Sequence, residues 1–310
     1  MWDKTHLLGL EELAADDITG LLDKAQHYRA IAINEDRSLT ALRGRRVVLM
    51  FFENSTRTRI SFEFAANRLG ATATAMSMAA SSVSKGESLL DTVRTIDSMG
   101  VDFLVVRHSS SGVPWQIAAA VKASVVNAGD GTHEHPTQGL LDLLTIRRHK
   151  GRIAGLRVGI VGDVLHSRVA RSNLFALTKL GASVVLIGPP TLVPDSFRQL
   201  GGEVCHDFDE AIHQCDVLNM LRIQTERLDG QYFPSLREYC RLYRLDAFRM
   251  RRARPDLLVM HPGPMNRGVE IAADVADGAN SAILEQVSNG VAVRMAVLDA
   301  LNSARCETCT

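Results

Sequence analysis

Residues 47–62, VVLMFFENSTRTRISF, constrain the chain more than any other stretch. The run from Val47 to Phe52 carries no polar residue, the pattern of a strand buried on both faces in a parallel sheet. Glu53-Asn54 and then Ser55-Thr56-Arg57-Thr58-Arg59 follow, after which Ile60, Phe62, Phe64 and Leu69 mark a helix. A strand that hands Ser, Thr and Arg to the start of a helix is suited to hold an anion. First-turn N–H groups point outward there and the helix dipole favours negative charge. The guanidinium of Arg57 adds a planar fork that matches phosphate oxygens. A plain helix capped by Ser55 or Thr56, with solvated arginines, fits the same triplet.

Beyond this stretch, strand-like and helix-like segments alternate. The first apolar runs are 45–52, 71–76, 102–107 and 124–127; helical spacing covers 11–33, 57–69, 87–99, 114–123 and 136–149. A second series has strands near 158–161, 183–187, 203–205, 216–220 and 257–260, with helices over 168–180 and around Val291, Met295, Leu298 and Leu301. The segment 226–256, rich in Arg and Tyr, reads as a mobile stretch with short helices. This rhythm predicts an α/β fold in which parallel sheets are flanked by helices. With 310 residues there is room for two domains, and the basic, glycine-broken stretch RRHKGRIAGL (147–156) marks the junction.

Charge and composition exclude several classes. Thirty-five basic residues balance thirty-five acidic ones, so no global field steers the chain to nucleic acid or to a membrane surface. No apolar run reaches the length of a membrane helix, and MWDKTHLLGLEEL is not a signal peptide, so a cytoplasmic location is expected. Cys205, Cys215, Cys240, Cys306 and Cys309 are scattered and odd in number, which fits free thiols. The terminal Cys306-x-x-Cys309 pair offers two of the four ligands of a structural zinc and is read as incidental.

In parallel α/β sheets, ligands sit beyond the carboxyl ends of the strands. The residues just past the apolar runs are Ser55–Thr58, Arg107-His108, His135–Gln138, Asp163–Arg168, Arg222-Ile223-Gln224 and His261–Pro264. Arg57, Arg107, Arg168 and Arg222, with Lys85 and Arg227, exceed the needs of one phosphate and suit a phosphate with two carboxylates. Pairing of these arginines with acidic residues elsewhere is the competing account. VGIVGDV (158–164) lacks the GxGxxG fingerprint of a nucleotide site, which disfavours a nicotinamide-dependent dehydrogenase.

The run FFENSTRTRISFE resembles the carbamoyl-phosphate loop of the aspartate and ornithine carbamoyltransferases, and GDGTHEHPTQ (129–138) resembles their second signature. The resemblance extends from about residue 5 to 303. It implies that Ser55, Thr56, Arg57, Thr58, Arg107, His135 and Gln138 bind carbamoyl phosphate, with Gly263 and Pro264 supplying backbone contacts across a cis bond. Of these, Arg57, Thr58, Arg107 and His135 would be catalytic. SSVSKGESLLDT (81–92) resembles a loop that reaches a neighbouring subunit's site through Ser81 and Lys85. By the same likeness Lys85, Arg168, Arg222 and Gln224 would bind aspartate, and Glu53 with Arg227 would latch the domains shut.

The family likeness further implies a carbamoyl-phosphate domain, 1–147, completed by a C-terminal helix, 288–310, that packs back on it, and an aspartate domain, 148–287. The implied reaction is transfer of the carbamoyl group to the amine of L-aspartate, an early step of pyrimidine synthesis, without metal or organic cofactor. A homotrimer of catalytic chains is implied; a larger complex with regulatory chains or a dihydroorotase is left open. Ornithine-type features are missing. Ser98-Met99-Gly100 lies in the first domain and reads as a helix end, and Pro262 stands where the ornithine enzymes' HCLP has its cysteine. Agreement at Arg168, Arg222 and Gln224 disfavours another amine acceptor.

Overall fold

Every apolar run read as a strand is one, and every strand pairs parallel to its neighbours. The computed structural model describes residues 2–33, 39–76, 88–223 and 235–308. The chain divides into two units, residues 1–141 with 288–310 and residues 142–287.

In chain order the first unit holds α1 (Ala15–Ile33), β1 (Arg46–Phe51), α2 (Thr56–Arg68), β2 (Thr72–Met76), α3 (Leu89–Ser98), β3 (Phe103–His108), α4 (Val113–Ala118) and β4 (Ser124–Asp130). The start of α5 (Pro136–Lys150) belongs here too. The sheet order is β2-β1-β3-β4. Phe103, Leu104, Val105 and Val106 are fully buried, as a central strand covered on both faces demands. The register pairs Phe51 with Arg107, so β1 and β3 end side by side. The N-terminal segment closes the outer edge of β4, with the Leu7 N–H donating to Val125 O and the Asn127 N–H to Leu7 O. Ser98-Met99-Gly100 is the end of α3, with Gly100 in the left-handed region.

The second unit runs β5 (Arg157–Val161), α6 (Arg168–Lys179), β6 (Ser183–Ile187), β7 (Glu203–Cys205), α7 (Phe208–Ala211), β8 (Val217–Met220), α8 (Leu236–Tyr243), α9 (Ala247–Met250), β9 (Leu258–Met260) and α10 (Ala273–Ala276). Its sheet is β7-β6-β5-β8-β9. A core of Val161, Val185, Leu218, Met220, Tyr239 and Val259 fills one side. The described part of the Arg-rich segment contains the short helices α8 and α9. The boundary falls at Leu141/Asp142, ahead of the expected 147. Asp142 is tied to the second unit, accepting hydrogen bonds from Asn173, Asn219 and Gln286.

The last helix, α11 (Ile283–Thr308), starts earlier than its sequence pattern suggests. Leu284 and Val287 are exposed, so its first turns carry no legible apolar stripe. From residue 288 onward it packs into the first unit. Met295, Leu298 and Leu301 are fully buried, and Asp299 accepts from Lys24 and Tyr28 of α1 at 2.7 and 2.9 Å.

Candidate active site

In the first unit, three neighbouring strands, β1, β3 and β4, deliver side chains to the carboxyl end of the sheet. Beyond β1 the chain turns through Glu53 and Asn54, and Ser55 caps α2 with an extended backbone (φ −157°). Ser55 makes no side-chain capping bond, and the first turn holds no acidic residue. The dipole end of α2 is thus left to an outside acceptor. Thr58 is buried within that first turn. Arg107, at the end of β3, donates through Nη2 to Glu53 Oε1 at 2.8 Å and through Nη1 to Ala128 O at 3.3 Å. These bonds hold the guanidinium beside the α2 loop, because register has already aligned β1 with β3.

At the end of β4, the buried Asp130 carboxylate accepts from Gly112 N–H, Asn127 Nδ2 and Glu134 N–H, folding the turn 130–134. His133 lies against Asp130, which raises its pKa. His135 is 4% exposed and precedes Pro136, the first residue of α5; its carbonyl accepts from the N–H groups of Gln138 and Gly139. Gln138 is buried within the first turn. Glu134 clamps the N-terminal segment, accepting from the N–H groups of Leu10 and Glu11. Among the described residues, Glu11, His133 and Glu134 bring ligand atoms within 4.8 Å of one another. The Glu134 carboxylate is already committed to two backbone N–H groups, so this trio reads as structural.

The second unit gathers its polar residues beyond β5, β8 and β9, which are adjacent. Arg168, 6% exposed, opens α6, and Ser167 caps that helix by accepting from Ala170 N–H at 3.1 Å. Arg222 follows β8 and donates through Nε to Asn266 Oδ1 at 3.4 Å. Beyond β9 comes the His261–Pro264 turn, with a cis Gly263–Pro264 bond and Gly263 at φ +65°. His261 Nδ1 accepts from Gly263 N–H at 2.8 Å, so its proton sits on Nε2, which donates to Glu270 Oε1 at 3.1 Å. The same Glu270 oxygen accepts from Asn266 N–H, and Asn266 Nδ2 donates to Ile223 O. Gln286 uses both ends of its amide, donating to Asp142 and accepting from His261 N–H. A buried polar network therefore fixes both the turn and the Asn266 side chain against which Arg222 rests.

Of the residues singled out from sequence, the first unit holds Glu53, Ser55, Thr56, Arg57, Thr58, Arg107, His135 and Gln138 at the carboxyl end of its sheet. The second unit holds Arg168, Arg222, Gly263 and Pro264 at the carboxyl end of the other. Ser81, Lys85, Gln224 and Arg227 lie outside the described residues. Sequence reasoning missed Asn266, Glu270 and Gln286, which no local motif announces.

Comparison with known proteins matches two family domains in chain order, the second running on to residue 301 and so into the helix that packs on the first unit. Residues 5–148 match the family described as aspartate/ornithine carbamoyltransferase, carbamoyl-P binding domain. Residues 154–301 match aspartate/ornithine carbamoyltransferase, Asp/Orn binding domain. The chain is 57% identical over 297 residues to the aspartate carbamoyltransferase catalytic subunit of Beijerinckia indica, covering 96% of this chain and 94% of that one. It is 56% identical over 303 residues to the catalytic subunit of Granulibacter bethesdensis, covering 97% and 96%. Aspartate transcarbamoylase from Trypanosoma cruzi, solved with carbamoyl phosphate and aspartate, superposes with a TM-score of 0.86 at 32% identity, covering 95% of this chain and 96% of that one. Ornithine carbamoyltransferase from Pyrococcus furiosus gives 0.84 at 30% identity, covering 94% and 95%. With both family domains matched in order and relatives this similar along nearly its whole length, the chain belongs to the aspartate/ornithine carbamoyltransferase family.

Proposed function

We propose that the protein transfers the carbamoyl group of carbamoyl phosphate to the amine of L-aspartate, giving N-carbamoyl-L-aspartate and phosphate. The observation that carries this reading is the start of α2, a helix end with no side-chain cap and no first-turn acid, which carries Arg57 in its own first turn and follows Glu53, the partner of Arg107. The names of the 56–57% identical relatives support the choice of aspartate over ornithine.

In this reading Ser55, Thr56 and Arg57 hold the phosphate with the first-turn N–H groups. Thr58, Arg107 and His135 receive the oxyanion that forms when the amine attacks the carbamoyl carbon, and Gln138 orients the carbamoyl amide. The carbon–oxygen bond to phosphate then breaks, and the departing phosphate takes the electron pair and accepts the amine proton. Carbonyls of the Gly263–Pro264 turn hold the reacting nitrogens. Arg168 takes the α-carboxylate of aspartate; Arg222 and Gln224 take the side-chain carboxylate, with Lys85 as a further cation. Closure pairs Glu53 with Arg227. No protein nucleophile is needed, since positioning and charge stabilisation suffice for acyl transfer of this kind.

The test is direct. The purified full chain, given carbamoyl phosphate and L-aspartate, should form N-carbamoyl-L-aspartate and one equivalent of phosphate, and should form no citrulline from L-ornithine. Absence of product, or preference for ornithine, overturns the reading.

The assembly proposed is a cyclic homotrimer in which Ser81 and Lys85 of one subunit complete the site of the next, in line with the family likeness of SSVSKGE. Lys85→Ala and Arg57→Ala proteins, mixed through dissociation and reassembly, should then recover about a quarter of parental activity, because each mixed ring rebuilds one whole site. Native mass spectrometry of the same sample counts mixed trimers and reports any larger assembly. Mixed trimers without recovery rule the shared site out. A cytoplasmic location is part of the proposal, in keeping with the free thiols of Cys205, Cys215, Cys240 and Cys306. Cell fractionation checks it.

A further inference from the structure

Arg294 of α11 is a buried cation that no described carboxylate balances. The residue is 3% exposed. Its Nη1 donates to Ser61 Oγ at 2.8 Å, its guanidinium lies over the Phe62 ring at 4.9 Å from the centroid, and its Nε finds no acceptor among the described residues. Ser61 and Phe62 belong to the second turn of α2, next to its open first turn. The berth is built for this side chain. Gly290 sits one helical turn before Arg294, and a Cβ there would come within 2.5 Å of Arg294 Nη1.

An uncompensated charge in such a berth is costly, because burial strips its hydration while one hydroxyl and one ring face return only part. The other charge felt at Arg294 is a second cation. Burial first, and then Arg107, pull its pKa down to about 9. Arg107 is felt at Arg294 and is itself paired with Glu53 at 2.8 Å, whereas Arg294, packed on α2 through Ser61 and Phe62, has no such carboxylate among the described residues. Repulsion of this kind is relieved by an anion. Within the first unit, the place where the loop geometry invites one is the start of α2.

We propose that Arg294 is a positioning residue of the phosphate site, which braces α2 from behind and supplies a buried positive charge that is compensated when a phosphate dianion occupies the first turn of α2. This inference rests on the phosphate site of the proposed function. Arg294 touches no substrate in this account; it acts through α2 and through its field. Two features distinguish it from a structural core residue. Its charge should matter more than its bulk, and it should cost stability in the empty protein while returning it in the loaded one.

The experiment uses the full chain, with inorganic phosphate as the probe, in three variants: Arg294→Lys, Arg294→Gln and Arg294→Met. Titration calorimetry should show phosphate affinity falling at least tenfold in Arg294→Gln and Arg294→Met, and less than threefold in Arg294→Lys. The KM for carbamoyl phosphate should rise in parallel, while the KM for aspartate at saturating carbamoyl phosphate stays within twofold. Without phosphate, Arg294→Met should melt at or above the parental temperature, and added phosphate should raise its Tm less than it raises the parent's. A parent that binds phosphate alongside an Arg294→Gln variant that binds it equally overturns this inference alone. So does an Arg294→Met protein that melts lower with unchanged phosphate affinity, since the residue is then a packing element. A parent that binds no phosphate overturns the phosphate site itself and this inference with it.

Discussion

Two helices, one in each unit, begin just beyond a central strand, and their first turns are treated oppositely. At α2, Ser55 leaves its hydroxyl uncommitted to the helix and no acid follows in the first turn. At α6, Ser167 spends its hydroxyl on Ala170 N–H, and the helix opens with a buried arginine, Arg168. Serine caps of the α6 kind recur at α3, through Ser88, and at α8, through Ser235. The contrast matches the shapes of two anions. A phosphate presents oxygens in three dimensions to an array of converging N–H groups, whereas a carboxylate is planar and fits one guanidinium fork. Under the proposed function, the first unit would meet its phosphate with first-turn N–H groups beside arginine side chains, and the second would meet carboxylates with side chains behind a helix that is already capped.

The contrast can be broken by substitution. The largest effect is expected from Arg57→Ala. Loss of a donor to charge that develops on the leaving group should lower kcat by about two to three orders of magnitude. Succinate affinity, read by calorimetry in the presence of carbamoyl phosphate, should stay near parental. Steady-state kinetics that show only a raised aspartate KM would assign Arg57 to the wrong substrate.

Next in size, Arg168→Ala and Arg222→Ala should each weaken succinate binding by about ten- to a hundredfold, the worth of one charge-assisted hydrogen-bonding group. Carbamoyl phosphate affinity should not move if, as proposed, that anion is held by the other unit. A variant that loses both ligands equally would mean that the division of labour is wrong.

Asn266→Ala probes the support rather than the fork. Asn266 meets Arg222 Nε and is itself fixed by Glu270, so its loss should raise the aspartate KM by about three- to tenfold while kcat is largely kept. An unchanged KM would show that Arg222 needs no brace. The smallest effect separates the two serines by stability alone. Ser167→Ala removes a cap and should cost about 1 kcal/mol, whereas Ser55→Ala should cost a few tenths at most. Thermal melts in phosphate-free buffer decide it, and equal losses would erase the contrast between the two helix starts.

The loops were legible in the sequence because each is local: an apolar run ends, and Ser, Thr, Arg or His stands within a few residues of its end. The supports were not. Gln286 meets Asp142 across 144 residues, and Arg294 meets Ser61 across 233. Nothing in the neighbourhood of Glu270, within RGVEIAAD, distinguishes it from a solvated surface acid, yet it is fully buried under His261 and Asn266. Periodicity also missed the first turns of α11, where Leu284 and Val287 face outward. Sequence pattern reports what a strand or helix does along its own length; pairings that only the tertiary fold creates leave no local trace.

The split composition of the first unit has a consequence for biosynthesis. Residues 142–287 emerge from the ribosome as one continuous stretch, but the first unit needs 288–310 as well as 1–141. At ~5–20 residues per second, about seven to thirty seconds separate the two pieces. During that interval the nascent chain carries a finished sheet whose α2 underside, Phe62 included, has no α11 to cover it. The unit begun first is completed last, so ribosome-stalled chains ending at residue 287 should be cleaved by protease in residues 1–141 and protected in the second unit. Release of the final helix, rather than synthesis of the loops at the strand ends, is then the event that sets α2 on its support.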